Sequence, residues 1–97
     1  MYTRVVVVQV KPDKMDEVLS IWRDSVLPVI RQSQGFRGAW LLTNSEKGKG
    51  MSLTLWETEA HMKAVESSGV FQQMLAKFTH LFASQPALEH YEVSLQI

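Results

Sequence analysis

The chain contains no cysteine, which excludes disulfides, thiolate zinc sites, iron–sulfur clusters and a thiol nucleophile. It also lacks an excess of either charge: ten Lys plus Arg stand against ten Asp plus Glu in 97 residues. Without a net field there is nothing to hold a polyphosphate, so nucleic acid is not an expected partner. Long apolar runs are missing as well. Met1-Tyr2-Thr3-Arg4 leads into only four valines, far short of the roughly 18 apolar residues of a membrane span and without the layout of a signal peptide. No membrane is expected, and the location read from the sequence is cytoplasmic. The three histidines, His61, His80 and His90, show none of the short spacings that place two imidazoles on one metal ion, and neither a metal nor another cofactor is expected.

What remains is an ordinary globular composition, 45% hydrophobic and 21% charged, read as a single domain over residues 1–97. A domain of this length buries only somewhat more than ~60% of the surface of its unfolded chain and is marginal alone. With disulfides and metals excluded, self-association is the support left, and a net charge of zero removes the long-range repulsion that opposes it.

Periodicity gives the elements. Thr3 to Val10, with Val5-Val6-Val7-Val8 at its centre, reads as a strand buried on both faces. Lys11-Pro12-Asp13 stops it, and Met15, Val18, Leu19, Trp22, Val26 and Ile30 then follow at steps of three and four, the stripe of an amphipathic helix of about five turns. Pro28 inside that stripe predicts a kink or an early end. Gln34-Gly35-Phe36-Arg37-Gly38 breaks the helix before two further strands, Ala39 to Thr43 and Ser52 to Trp56, joined by the polar hairpin loop Asn44 to Gly50. Thr58 is a good N-cap for a helix to Ser67, its inward face drawn through His61, Ala64 and Val65. After Ser68-Gly69, Phe71, Met74, Leu75, Phe78 and Phe82 form another helical stripe, and Glu89 to Ile97 reads as a last strand with Tyr91, Val93 and Leu95 facing the helices.

The order β-α-β-β-α-α-β is that of an α+β, ferredoxin-like split βαβ domain with a four-stranded antiparallel sheet. Helices cover one face of such a sheet. Trp40 and Trp56 crowd if both lie under the helices, and Ser52, Thr54, His90 and Glu92 are expected on the uncovered face. Its expected partner is a second copy of the chain, with two sheets stacked across a two-fold axis and at least about 800 Å² buried per subunit. A monomer with a half-polar face in water is the alternative.

Val26-Leu27-Pro28, then Gln34-Gly35-Phe36-Arg37-Gly38 running into Trp40-Leu41-Leu42, then Leu53-Thr54-Leu55-Trp56-Glu57-Thr58 with a helix and Phe71, resemble the antibiotic biosynthesis monooxygenase family of dimeric α/β-barrel proteins. The resemblance runs from the valines of the first strand to His90-Tyr91-Glu92-Val93. It implies a homodimer with a pocket in each subunit between helices and sheet. Some members of that family oxidise aromatic polyketides or quinols with dioxygen and no metal or flavin, the substrate itself reducing the oxygen. A related branch degrades haem with an Asn, a Trp and a His, and the matching places here hold Val6, Val65 and Leu75, none of which can ligate iron or hydrogen-bond. Many non-haem relatives carry a His where this chain has Val65 and another where it has Val70.

The pocket residues that follow are His61 as a candidate base, Arg4, Tyr91 and Trp22 as polar anchors and aromatic wall, and Val6 and Val65 as lining. His61 at a helix N-terminus is kept neutral, which suits proton abstraction from a phenol or enol; the alternative is a half-buried imidazole bonded to backbone. Arg4 shares parity with Val6 and Val8, so its head reaches a phenolate or carboxylate, or else it snorkels from a strand end. Trp22 is either core bulk or a platform for a planar ligand. Two functions stand open at this point: a cofactor-independent monooxygenase of a small phenolic, quinol or polyketide-type substrate, and a non-catalytic dimer that binds a small apolar or aromatic molecule.

Overall fold

The valines occupy the centre of the sheet. In the computed structural model, which describes residues 1–97, strand β1 (Tyr2–Gln9) lies between β3 (Lys49–Trp56) and β4 (Ala87–Glu92), and β2 (Phe36–Asn44) completes an antiparallel sheet of order β2-β3-β1-β4. A strand flanked on both edges and packed on both faces favours β-branched side chains throughout, which is what the run supplies. The ferredoxin-like α+β arrangement read from the sequence is the one observed.

The first crossover resolves the conflict created by Pro28. Helix α1 (Met15–Ile21) passes through a π-helical turn, Trp22–Val26, into α2 (Leu27–Ile30). A proline inside an α-helix lacks a donor and presses its ring on the carbonyl four residues back, here Asp24. The wider turn before Pro28, in which the Leu27 N–H reaches the Trp22 carbonyl, takes up that misfit. The expected kink is thus a π turn, and Val18, Val26 and Ile30 all remain buried along one stripe.

The second crossover contains α3 (Glu59–Ser67), α4 (Val70–Ala76) and a 3-10 turn at Thr79–Leu81. Thr58 caps α3 as expected, its Oγ1 accepting the His61 backbone N–H at 3.1 Å. Gly69, at φ +87°, reverses the chain between the two helices in a conformation that side chains disfavour. The inward face of α3 runs through Met62 and Val65, both buried; Ala64 is exposed and His61 half-buried, so the face drawn from the sequence is rotated by about a third of a turn. No helix is long and apolar enough to cross a membrane.

Strand parity departs most from expectation. Residues directly opposite in an antiparallel pair point to the same face, and the register pairs Arg4 with Thr54 and with His90, Val6 with Ser52, and Tyr2 with Glu92. Ser52, Thr54, His90 and Glu92 therefore face the helices together with Arg4, not the open side. Tyr91 pairs with Thr3 on the open face, 53% exposed, rather than under the helices. The expected parity rests on polarity, and polarity misleads here because the covered face of the sheet carries the polar groups of a cavity. The open face is in turn more apolar than expected: Trp40, 50% exposed, pairs with Leu53, and Leu42 with Met51. Trp56, by contrast, is 0% exposed and meets Phe36 edge to face at 5.7 Å.

Strand β4 is shorter than Glu89 to Ile97. Tyr2 and Glu92 are its last pair, and the Val93 N–H reaches the Met1 carbonyl at 2.8 Å. Leu95 and Ile97 lie beyond the ladder and are exposed.

Candidate functional site

Between the helices and the covered face of the sheet lies a cavity of about 70 Å³. Twelve of its fifteen lining residues are hydrophobic, and the others are Arg4, Ser52 and Thr54. The sheet contributes Val6, Val8 and Leu41, the first crossover Val18, Trp22 and Ile30, and the second Phe71, Met74 and Phe78. Trp22 and Leu75, half-buried, belong to the same wall.

Arg4 is the one ionisable residue of the lining and is only 2% exposed. A cation in such surroundings needs a counter-charge and acceptors. Nε donates to Glu66 Oε2 at 3.2 Å and Nη2 to the Met62 carbonyl at 2.6 Å, both from α3. The guanidinium plane also lies 4.8 Å from the Phe71 ring centre and 5.6 Å from that of Trp56, within the range of cation–π attraction. Burial pushes the Arg4 pKa down and Glu66 pulls it back up; a guanidinium starts high enough to stay charged regardless. Nη1 donates to no protein atom. Beside it, Thr54 Oγ1 accepts the Trp56 indole N–H at 2.9 Å, which leaves the hydroxyl hydrogen of Thr54 free to donate.

The cavity thus offers an apolar slot with fixed donors on one wall. An anionic or strongly accepting oxygen entering this small space would meet Arg4. The cavity contains no carboxylate and no imidazole, and no three His, Asp or Glu side chains converge as metal ligands anywhere in the chain.

Among the residues named from sequence, Arg4, Val6 and Trp22 line this cavity. Three do not. Tyr91 points from the open face, where its hydroxyl donates to Glu89 Oε1 at 2.7 Å; that bond and the carboxylate charge hold its phenol above the usual range. Val65 is buried but lines a separate cleft of about 240 Å³ with Ser33, Gln34, His61 and Ser68. His61 sits in that cleft too, Nδ1 being 2.9 Å from Thr58 Oγ1. Gly35, at φ +83°, lies so close that a Cβ there would run into the imidazole. His61 is therefore tied to the helix cap and the β2 turn, and it does not face the cavity as a base. Its ring is half-buried and bonded to the Thr58 hydroxyl, not to backbone as the alternative had it.

Sequence reasoning missed Glu66. It also set His90 on the wrong face, expecting it at an interface between copies. His90 Nε2 is instead 2.8 Å from Glu66 Oε2, the same oxygen that Arg4 uses. Nothing in the spacing of positions 4, 66 and 90 announces this cluster; only the register of β1 with β4 and the docking of α3 create it.

The antibiotic biosynthesis monooxygenase profile matches residues 1–77. The chain belongs to that family. Among curated proteins it is 26% identical over 93 residues to the uncharacterized protein Rv2557 of Mycobacterium tuberculosis, covering 96% of this chain and 41% of that one. A second protein of that organism, Rv2558, matches at 26% over 95 residues, or 97% of this chain and 39% of its own. The chain spans about two fifths of the length of these relatives. Among solved structures, a protein of unknown function from Nitrosomonas europaea superposes with a TM-score of 0.81 at 18% identity, over 99% of this chain and 91% of the other. A variant of SnoaB, a cofactor-independent oxygenase from Streptomyces nogalater, superposes at 0.82 with 12% identity, over 99% and 95%. At these identities the structural likeness establishes the shared fold.

Proposed function

We propose that the protein is a cofactor-independent monooxygenase of a small phenolic, quinol or polyketide-type substrate, acting in the cytoplasm. The observation that carries this reading is the single buried guanidinium in an otherwise apolar cavity. Such an oxidation balances without an outside reductant: a methylene flanked by aromatic rings loses two hydrogens, gains one oxygen atom as a ketone, and the second oxygen atom leaves as water. The reaction needs an electron-rich anion of the substrate, because the ionised form gives up an electron to dioxygen far more readily. Arg4 and the Thr54 hydroxyl favour that anion by holding its oxygen, and the dry walls strengthen their effect.

The lack of any proton acceptor in the lining favours a second reading, a member of the family that binds a small aromatic molecule without turning it over. The two separate by oxygen uptake with a panel of hydroquinones and anthrone-type phenols. Uptake above the buffer rate, reduced at least about tenfold in Arg4→Met, supports the oxygenase. Binding without uptake supports the binder, and neither binding nor uptake removes both.

We further propose a homodimer formed through the open face of the sheet. Trp40, Leu42, Met51 and Leu53 make that face too apolar for water alone, and joining two copies supplies the burial a domain of this size lacks.

A further inference from the structure

Arg4 is a cation with a counter-charge already in place, and that counter-charge is shared. Glu66 Oε2 lies 3.2 Å from Arg4 Nε and 2.8 Å from His90 Nε2. With His90 neutral, Arg4 and Glu66 cancel, and an anion entering the cavity meets donors but little net charge. With His90 protonated, the cluster carries one positive charge in excess, and Glu66 is drawn toward the imidazolium at the sheet edge. Arg4 is then freer to serve an incoming oxygen.

We propose that Glu66 and His90 act through Arg4 as a charge-setting pair, so that the cavity's affinity for an anionic headgroup rises when His90 takes up a proton. The inference rests on the reading of the cavity as a ligand site headed by Arg4. It makes Glu66 and His90 positioning residues and the preferred ligand a flat monoanion. By linkage, the bound anion favours the protonated His90 to the same degree.

Exposure rises along the contacts: Arg4 is buried, Glu66 is mostly covered, and the His90 side chain is 36% exposed, so protons reach the imidazole directly from water. The charged and titratable groups around His90 are Glu66 from α3, with the Glu59 and Lys63 ion pair earlier on that helix, Tyr2 and Arg4 from β1, and Glu92 two residues along β4. Of these only Glu66 is bonded to His90. Histidine is the side-chain type whose charge changes near neutral pH, and the His90→Gln variant separates its contribution from that of every other group.

The test is an NMR titration of the full chain with benzenesulfonate, which stays ionised throughout, and with toluene as the neutral counterpart. Benzenesulfonate affinity is expected to rise about five- to tenfold from about pH 8 to about pH 5.5, the lower part of the range for coupled sites because His90 is partly solvated. Toluene affinity should change less than about twofold, having no charge to couple. In His90→Gln, which keeps a neutral donor to Glu66, the sulfonate affinity should stay at its high-pH value. In Glu66→Gln it should already be high at about pH 8, with folding checked by circular dichroism. His61→Gln should retain the full pH response. An unchanged pH response in His90→Gln overturns the proposal. Toluene binding without sulfonate binding also overturns it while leaving the cavity a ligand site; binding of neither removes both.

Discussion

Arg4 shows how one residue connects burial to function. A charge this deep costs several kcal/mol unless it is compensated, and the chain supplies Glu66 to Nε, the Met62 carbonyl to Nη2 and two aromatic faces while leaving Nη1 without a protein acceptor. Replacing it with Met keeps the volume but leaves Glu66 with His90 alone, so Arg4→Met should lose about 1–3 kcal/mol of stability in addition to its effect on ligand. Chemical denaturation measures the first and the oxygen-uptake assay the second. Tyr2 carries a pH dependence of its own. The charges of Glu92 and then Glu59 hold its phenol above the usual value. A group whose folded pKa is raised contributes stability that is present below its unfolded pKa and lost as pH rises through the folded one. Thermal midpoints should therefore fall above about pH 10, and fall less in Tyr2→Phe. An equal decline in the variant assigns the alkaline loss to other groups, Tyr91 beside Glu89 first among them.

Elements were legible in proportion to how local their causes are. Thr58 as the α3 cap, Ser68-Gly69 as a break and the strand valines follow from neighbours within one turn or one hairpin and stand where the periodicity puts them, whereas the stripe from Phe71 to Phe82, read as one helix, is α-helical only to Ala76 and passes through the 3-10 turn Thr79–Leu81 before Phe82 turns extended. Thr58→Ala should cost about 1 kcal/mol by removing the cap and should broaden or shift the His61 ring resonances, since Oγ1 is also the partner of Nδ1; an unshifted His61 signal would argue against that contact in solution. Pro28 was legible as a disturbance but not as a π turn, because the alternatives differ only in how the rest of the core lets the helix close. Strand parity was not legible. Ser52, Thr54, His90 and Glu92 look like a solvent face, and a one-residue slip of register would make them one. They lie on the covered face because register pairs them with Arg4, Val6 and Tyr2, and the one long-range partner among them, Glu66 against His90, arrives with α3.

For the whole molecule, inverting that parity strengthens the case for self-association rather than weakening it. The open face exposes Trp40, Leu42 and Met51 in place of the serine, threonine and histidine expected there. If two copies stack on this face, Trp40→Glu combined with Leu42→Lys should give a folded monomer, since both side chains already reach solvent in the single chain. Light scattering on a size-exclusion peak measures it, and a wild-type mass near 11.1 kDa at micromolar concentration would sink the dimer. The same variant should lower thermal stability, because the domain then loses the burial its size requires.

Sequence by itself settled what depends on composition and short-range order: the absence of any thiol, and the succession and rough limits of most strands and helices. Of the six pocket residues that the family resemblance implied, Arg4, Val6 and Trp22 line the cavity and His61, Val65 and Tyr91 do not. Tertiary structure decided the rest. Which face of β3 and β4 is covered, that His61 belongs to the Gly35 turn, and that Glu66 and His90 share an oxygen beneath Arg4 are consequences of register and helix docking. Those contacts join residues up to 90 positions apart, as between Tyr2 and Glu92, and polarity alone gives a covered polar cluster and a solvated surface the same pattern until helix docking and register are in place.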